Sequence, residues 1–436
     1  MTAQRLVSPF ESRYFGVGTL GSVPTGGMPL FIGSTVRGIV DPQLLRRALD
    51  ELAAAHPLLR SRVRTDGPAR FVRDDDFRPQ LEISEGGAAE YSKLVNAEQD
   101  WRDGLFAAHL LREGARQQVV LVLHHGISDG RSAFALLAEL WERYTALHSG
   151  SALPQPDSTE LPEAVDGRLA TIVTDAEVTG WLDRIRAGAA TMGPEAAPRT
   201  LFRDGDGAGN DPLGRFAMRR IALDPGETAA LVAVSRAAGL SVNSVLTGAA
   251  LIAFRAQLAP AAGALPMFCG HAVDLRPEFR PAVPAGTVVN YASGVGTPVE
   301  VAPDADPLEV GRAVAAGMLV ATEHREAAVF LLAAQRVDDE FTAALLSAPP
   351  TLAISNIGRL PAHTLPRELV FVRDDVYAMG PGMPPKLTVF TVGDRLTIQV
   401  EYDTALYSRP QMARISHTLT ETVRRACSVT PATGAR

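Results

Sequence analysis

Residues Gln117–Gly130, QQVVLVLHHGISDG, constrain this chain more than any other stretch. Five consecutive apolar residues, Val119–Leu123, are too few for a helix of their own, and the run is rich in valine. They predict a strand buried on both faces. Successive strand residues point to opposite faces, so His124 and His125 cannot look into one cavity unless the strand breaks between them. One histidine is expected to face a site and the other to face packing. Gly126 and Gly130 permit a tight turn. Asp129 lies four residues past His125, where a carboxylate can fold back on the local backbone. An apolar strand that delivers a histidine to a loop can mount a general base; the competing reading of each histidine is a structural one.

Composition narrows the function classes. The 436 residues exceed one ordinary core and predict two domains. A net charge of −7 with no basic run argues against nucleic-acid binding. Cys269 and Cys427 are the only cysteines, without a CxxC pair, so neither a disulfide framework nor a cysteine zinc site is expected. No apolar run approaches the roughly 20 residues that span a bilayer, and the first residues lack the apolar segment of a signal peptide. The expectation is a soluble, cytoplasmic monomer with no membrane span. Lys93 and Lys386 are the only lysines; the other basic residues are arginine, which suggests a GC-rich genome.

Along the chain, residues 5–16 predict a short helix entered after Ser8-Pro9. Pro29–Val40 predicts a strand, and Pro42–His56 a helix capped by Asp41 with Pro42 at its first position. Ser61–Arg64, Ala69–Arg73, Gln80–Ile83 and Leu105–Leu111 predict strands, the last leading by a hairpin into the central one. Phe134, Leu137, Leu140, Trp141 and Tyr144 recur at helical spacing over Arg131–Leu147, a core stripe rather than a ligand box. Its N-terminus points at the turn, with Asp129 as a candidate cap. Residues 149–175 read as loop and Val178–Ala189 as helix. Residues 190–214 are dense in Gly, Asp and Pro and mark a linker, dividing the chain into 1–189 and 215–436. The second part predicts strands at Arg215–Ala222, Met267–Val273, Thr287–Val295, Thr351–Asn356, Val370–Val376, Lys386–Val392 and Arg395–Tyr402. Its helices fall at Asp224–Ala238, Ser244–Ala259, Pro307–Glu323 and Arg409–Ala426. Strand–helix order recurs in both parts, which fits a mixed α/β architecture.

His124-His125-Gly126-Ile127-Ser128-Asp129-Gly130 resembles the HHxxxDG signature of the condensation-domain and acyltransferase superfamily. The resemblance continues through HPLLR at residues 56–60, SVNSVLTGAALIAF at 241–254, DLRPEF at 274–279, VVNYAS at 288–293, SNIG at 355–358 and LTIQVEYD at 396–403. Within that superfamily the chain most resembles the stand-alone polyketide-associated acyltransferases of the phthiocerol dimycocerosyl transferase type. The resemblance implies two chloramphenicol-acetyltransferase-like domains in a V, with an interdomain channel and the histidine at its middle. It implies His125 as the catalytic base, acting on an acceptor hydroxyl that attacks a thioester. His124, Asp129 and Gly130 would be structural. Arg276 would be the partner of Asp129, with Arg62 as the alternative. Ser355, Asn356 and Asn290 are candidate oxyanion or channel residues. No cofactor or metal is expected beyond the thioester co-substrate, whether acyl-CoA or the phosphopantetheine of an acyl-carrier protein, and the other partner would be a small-molecule alcohol. Arg60, Arg62, Arg64, Arg70 and Arg73 could meet the phosphates of such a donor, or could form a solvated strand face.

Other readings compete. A catalytically silent binding module of the same fold is one, and condensation to an amine acceptor is another. A metal hydrolase built on His124, His125 and Asp129 is a third, opposed by strand alternation and by the absence of HExxH. No GxSxG elbow occurs, which argues against a serine hydrolase and leaves Ser128 without a nucleophile's role.

Overall fold

A computed structural model describes residues 3–16, 19–20, 23–154, 160–191, 193–205 and 214–428. The Val119–Leu123 run lies at the centre of the strand Arg116–His124, every apolar residue of it inaccessible to solvent. This motif strand pairs antiparallel with Pro29–Arg37 on one side and Phe106–Glu113 on the other. Gln80–Glu85 adds parallel to Phe106–Glu113, and Val370–Tyr377 closes the other edge of this five-stranded sheet. The helices Pro42–Ala55 and Gly130–Ser149 pack on each other. Asp41 caps the first, accepting from the Gln43 amide at 2.7 Å, and its own amide donates to the Tyr144 hydroxyl at 2.9 Å. Thus the aromatic stripe predicted over 131–147 is core, and it ties the two helices together.

The second sheet has six strands in the order Phe216–Leu223, Arg395–Asp403, Lys386–Val392, Leu352–Leu360, Leu265–Asp274 and Ala292–Val301. One face carries Ile398, Val400, Leu387, Val389, Leu352 and Ile354 into an apolar core against the helices Pro225–Ala237, Val242–Arg255 and Arg409–Ser428. Alternation puts Thr388, Gln399 and Glu401 on the opposite face, and all three are buried. Two of them bond the backbone at the end of the crossing strand Val370–Tyr377: Gln399 Oε1 accepts from the Val376 amide at 3.0 Å and Glu401 Oε2 from the Ala378 amide at 3.2 Å. Polar side chains are buried here because they satisfy backbone groups of a strand belonging to the other sheet and of the residue after it.

The structure revises several boundaries. Val370–Tyr377 belongs to the first sheet, so a division into 1–189 and 215–436 does not separate the two sheets; an apolar strand pattern reads alike whichever sheet the strand joins. Most of the Gly/Asp-rich segment of the expected linker, residues 206–213, lies outside the described residues. Within residues 5–16 only Pro9–Ser12 is helical, capped by Ser8, and Gln4–Leu6 is a strand. A strand is predicted over Thr287–Val295, but the ladder starts at Ala292 and runs to Val301. Tyr291 is withheld from it because its amide donates to Asp129 at 2.7 Å and its carbonyl accepts from the Leu275 amide at 2.9 Å. Ala88–Asn96, Val165–Leu169, Glu326–Ala333 and Glu340–Leu346 are helices where none was expected. All four are nine residues or fewer, too short to show a clear period.

Candidate active site at the histidine turn

The motif strand ends at His124 and the chain turns at once. His124 is buried among aromatic rings: Phe15 stacks on it with centroids 4.1 Å apart and planes 5° apart, and Trp101 meets it edge-on. Its Nδ1 accepts from the Gly126 amide at 3.0 Å, so the turn fixes the ring and its tautomer. Burial, then the neighbouring His125, pushes its pKa down to about 3. His124 is therefore neutral across the physiological range.

His125 has a different environment. It is partly exposed, and Tyr14 stacks on it with centroids 5.4 Å apart. Asn290 Nδ2 donates to the His125 carbonyl at 2.9 Å and lies 3.3 Å from its Nδ1. Asn290 Oδ1 accepts from the Ala292 amide at 2.9 Å, which fixes the orientation of the amide group. Burial pushes the Tyr14 hydroxyl pKa up to about 12, and the nearby Asn290 side chain works against it. Burial pushes the His125 pKa down to about 4; the positive charge of Lys386 works in the same direction, and backbone carbonyls of His125 and Ser128 work against it.

Asp129 turns away from both rings. Its Oδ1 accepts from the Ser132 amide at 2.9 Å and caps the helix Gly130–Ser149. Its Oδ2 accepts from Arg276 Nη1 at 2.8 Å and from the Tyr291 amide at 2.7 Å. Both oxygens are thus occupied, and a metal triad of His124, His125 and Asp129 is not assembled. Arg276 is 3% exposed and also contacts Asp274 at 3.0 Å and the carbonyls of Thr287 and Val289. Burial opposes its charge, but Asp129 and Asp274 hold its pKa above the ordinary value. Arg62, the alternative partner, pairs with Asp74 at 3.0 Å instead.

A Cβ on Gly130 would fall 2.5 Å from Cδ1 of Ile357. The close approach is therefore to the second sheet, at a bulge between Asn356 and Gly358. Gly358 has a φ of +89°, a conformation that glycine adopts at no steric cost. Asn356 shapes this bulge, with Oδ1 accepting from the Gly358 amide at 3.0 Å and Nδ2 donating to Asn243 Oδ1 at 3.3 Å. Ser355, partly exposed, precedes it in register with Thr388. The structure brings together His125 with Asn290 and, separately, Asp129 with Arg276, the two pairs being joined through the Asn290–Tyr291 backbone, and Gly130 with the Ser355–Asn356 strand through Ile357. It gives no direct contact between His125 and either Ser355 or Asn356.

Tyr14, Phe15, Tyr291 and Lys386 also belong to this corner, and no sequence spacing links them to residue 125. The adjacent aromatic pair in ESRYFG was the available signal. The arginine run at 60–73 is largely neutralised: Arg60 and Arg73 meet Asp75, Arg62 meets Asp74 and Arg70 meets Asp66. That arrangement matches a solvated strand face.

Two families of known proteins match the segments that build this corner. The condensation domain family matches residues 33–162, which include the histidine turn, and the phthiocerol/phthiodiolone dimycocerosyl transferase C-terminus family matches residues 212–401, which include Arg276, Asn290 and the bulge. The two matched segments together carry every residue of the histidine turn and its buried ion pair. This acyltransferase is 27% identical over 347 residues to the phthiocerol/phthiodiolone dimycocerosyl transferase of Mycobacterium ulcerans, covering 77% of this chain and 78% of that protein. Its fold resembles polyketide synthase associated protein 5 from Mycobacterium tuberculosis, with a TM-score of 0.70 at 19% identity over 98% of this chain and 99% of the other. It also resembles trichothecene 15-O-acetyltransferase from Fusarium sporotrichioides, with a TM-score of 0.73 at 13% identity over 97% and 95%. The acyltransferase therefore has the mixed α/β architecture of two chloramphenicol-acetyltransferase-like domains. Among the described residues no single helix is long and apolar enough to cross a membrane.

Proposed function

We propose that the enzyme moves an acyl group from a thioester donor, acyl-CoA or acyl-carrier protein, to a hydroxyl of a lipid or natural-product acceptor. His125 is the general base and no acyl-enzyme forms. The observation that carries this reading is the placement of His125, stacked on Tyr14, tied to Asn290 through its carbonyl and partly open to solvent, at a turn braced by a buried ion pair. A thioester is already activated; the acceptor hydroxyl is not, so one base within reach of it is the minimal machinery. The Asn290 amide donates best to the His125 carbonyl, at 2.9 Å, and its 3.3 Å approach to Nδ1 is long for a bond. In this reading Nδ1 carries the proton, and Nε2 keeps the lone pair that takes the acceptor's proton. The oxygen attacks the thioester carbon, the tetrahedral intermediate collapses, and the proton goes from His125 to the departing thiolate. No cofactor beyond the thioester co-substrate takes part.

The same geometry changes the role of Asn290. With its Oδ1 and one N–H engaged by backbone, it is a positioning residue and not a free oxyanion donor. Ser355 is the better placed of the remaining oxyanion candidates, since Asn356 is spent on its bulge. The curated relatives named as dimycocerosyl transferases favour an alcohol over an amine acceptor. The test is thiol release: purified protein is given acyl-CoA with and without a panel of long diols and other alcohols. Acceptor-dependent release that is lost in His125→Ala is expected. No release with any donor and acceptor, or full activity in His125→Ala, would overturn the reading and favour a silent binding module.

A further inference from the structure

The histidine turn lacks a part found in other histidine bases. When such a base takes a proton its ring becomes a cation, and in a catalytic triad a carboxylate on the other ring nitrogen stabilises that charge. Among the described residues the histidines that meet carboxylates are His56, His109, His148 and His363; His125 meets none. Asp129 is engaged by the Ser132 amide, Arg276 and the Tyr291 amide, and it favours a charged His125 only from a distance. Burial acts against a cation at His125, and so does the charge of Lys386. What lies against the ring is Tyr14, with centroids 5.4 Å apart and planes 28° apart.

The segment that carries Tyr14 fixes this stack. Ser8 and Glu11 cap each other, the Glu11 amide donating to Ser8 Oγ at 3.2 Å and the Ser8 amide to Glu11 Oε2 at 2.9 Å. The Phe10 amide donates to Asp166 at 2.9 Å, and the Phe10 ring meets Tyr14 edge-on. Arg13 Nη2 donates to the Ala334 carbonyl at 2.6 Å, and the Arg13 carbonyl accepts from the Thr25 hydroxyl at 2.9 Å. The Tyr14 carbonyl accepts from the Gly27 amide at 2.7 Å, and the carbonyl of the next residue, Met28, accepts from the His125 amide at 3.0 Å. One short stretch of backbone therefore holds both members of the stack. Gly126 is part of the fit, because a Cβ there would fall 3.0 Å from Tyr14 Cβ, from Phe15 Cε2 and from His124 Nδ1. Tyr14 is buried, and its hydroxyl, held protonated by that burial, is no rival base.

We propose that Tyr14 is a positioning residue of the acyl transfer, whose ring face stabilises the positive charge that His125 acquires as it takes the acceptor's proton. The face of an aromatic ring is negative, and a cation within about 6 Å of the ring centroid is attracted to it, more strongly where both are desolvated. The neutral imidazole of the resting base gains far less. The contact is therefore worth more in the transition state than before it, which is the condition for raising kcat and not merely tightening binding. Stacking also fixes the plane of the imidazole, and with it the direction in which the free nitrogen meets the hydroxyl. The inference rests on His125 being the general base, and it holds for any thioester donor and any alcohol.

Graded replacement of the ring in the whole protein tests this. Tyr14→Phe keeps the ring and is expected to keep most of the parent rate. With Tyr14→Phe as reference, mono-, di- and trifluorinated phenylalanines incorporated at the same position keep the shape and withdraw charge from the ring face step by step. The value of kcat is expected to fall at each step, by about tenfold at the end of the series, with KM unchanged; Tyr14→Leu, which removes the ring, is expected to fall as far. Melting temperatures of the same preparations should stay level across the fluorinated series, so loss of folded protein does not produce the trend. A packing residue would give no such dependence on ring charge. A flat series, or Tyr14→Leu with the kcat of the parent, overturns the proposal alone when His125→Ala is inactive. Full activity in His125→Ala, or no turnover by the parent with any donor and acceptor, overturns both this proposal and the general-base reading.

Discussion

Asp129 Oδ2 and Arg276 Nη1 lie 2.8 Å apart across 147 residues of sequence, with both side chains buried. The pair joins the helix behind the histidine turn to the segment that enters the second sheet, and it holds the Tyr291 amide and the Thr287 and Val289 carbonyls in the same knot. Removing one member leaves the other charged and buried, which costs about 3–5 kcal/mol. Asp129→Ala and Arg276→Ala are each expected to lower the urea unfolding free energy by that amount. Any loss of activity they show should follow the loss of folded protein. Either variant with unchanged stability and no activity would give the pair a chemical role and contradict a purely structural one.

His125→Ala is expected to behave oppositely. The ring is partly exposed and contributes no cap and no buried ion pair, so its loss should leave the unfolding midpoint close to that of the parent. Loss of a general base costs about 10²–10⁴ in rate. The check is to measure kcat and the melting temperature on the same preparation; a collapse of both would make His125 a structural residue.

The pH dependence separates the two histidines. His125 has a pKa pushed down to about 4, and a base works only unprotonated. Thus kcat/KM is expected to stay flat from pH 7 to about 5 and to fall as pH drops through about 4, with no acid limb near the ordinary histidine value of about 6.5. His124 acts on stability. Its folded pKa, about 3, lies below its unfolded value, so between the two the unfolded chain binds a proton that the folded chain refuses. Stability should therefore fall as pH drops below about 6.5, by about 1.4 kcal/mol per pH unit for His124 and by a similar amount for His125 down to about pH 4, so the slope assigned to His124 is the one that persists in His125→Ala. Urea midpoints at pH 7, 6 and 5 that do not decline would count against a neutral, buried His124.

The histidine turn was legible in the sequence because its constraints are local. A buried strand, a glycine-bounded turn and the two-residue alternation are properties of neighbours, and they separate His124 from His125 without knowledge of the fold. The partner of Asp129 was legible only as a choice between Arg276 and Arg62, because a carboxylate does not encode which distant guanidinium reaches it. Tyr14 and Lys386 were not legible as site residues at all: one stacks on His125 and the other acts on its charge, through packing between elements with no common period. The Val370–Tyr377 strand was readable as a strand, but its place in the first sheet was not. What assigns it is an antiparallel ladder with Pro29–Arg37, far away in sequence, while Gln399 and Glu401 of the second sheet satisfy backbone groups on its other side.

Gly130 gives the test most specific to the contact between the two sheets. A Cβ there would fall 2.5 Å from the Ile357 Cδ1 atom, the far end of a side chain that sits on a bulge held by Asn356 and Gly358. Gly130→Ala must therefore push Ile357 aside, and because only the far end of that side chain has to move, the cost is expected at the low end of overpacking, about 1 kcal/mol. Shortening the obstructing side chain should recover most of that cost, so Ile357→Val combined with Gly130→Ala is expected to be more stable than Gly130→Ala alone. A double-mutant cycle in urea measures the coupling, which neighbouring residues of this kind show at about 0.5–3 kcal/mol. Because the helix that begins at Gly130 also carries the cap on Asp129, kcat in Gly130→Ala should fall and then recover in the double variant. Additive free energies, with no recovery of stability or rate, would mean that the helix start and the bulge do not press on one another in solution.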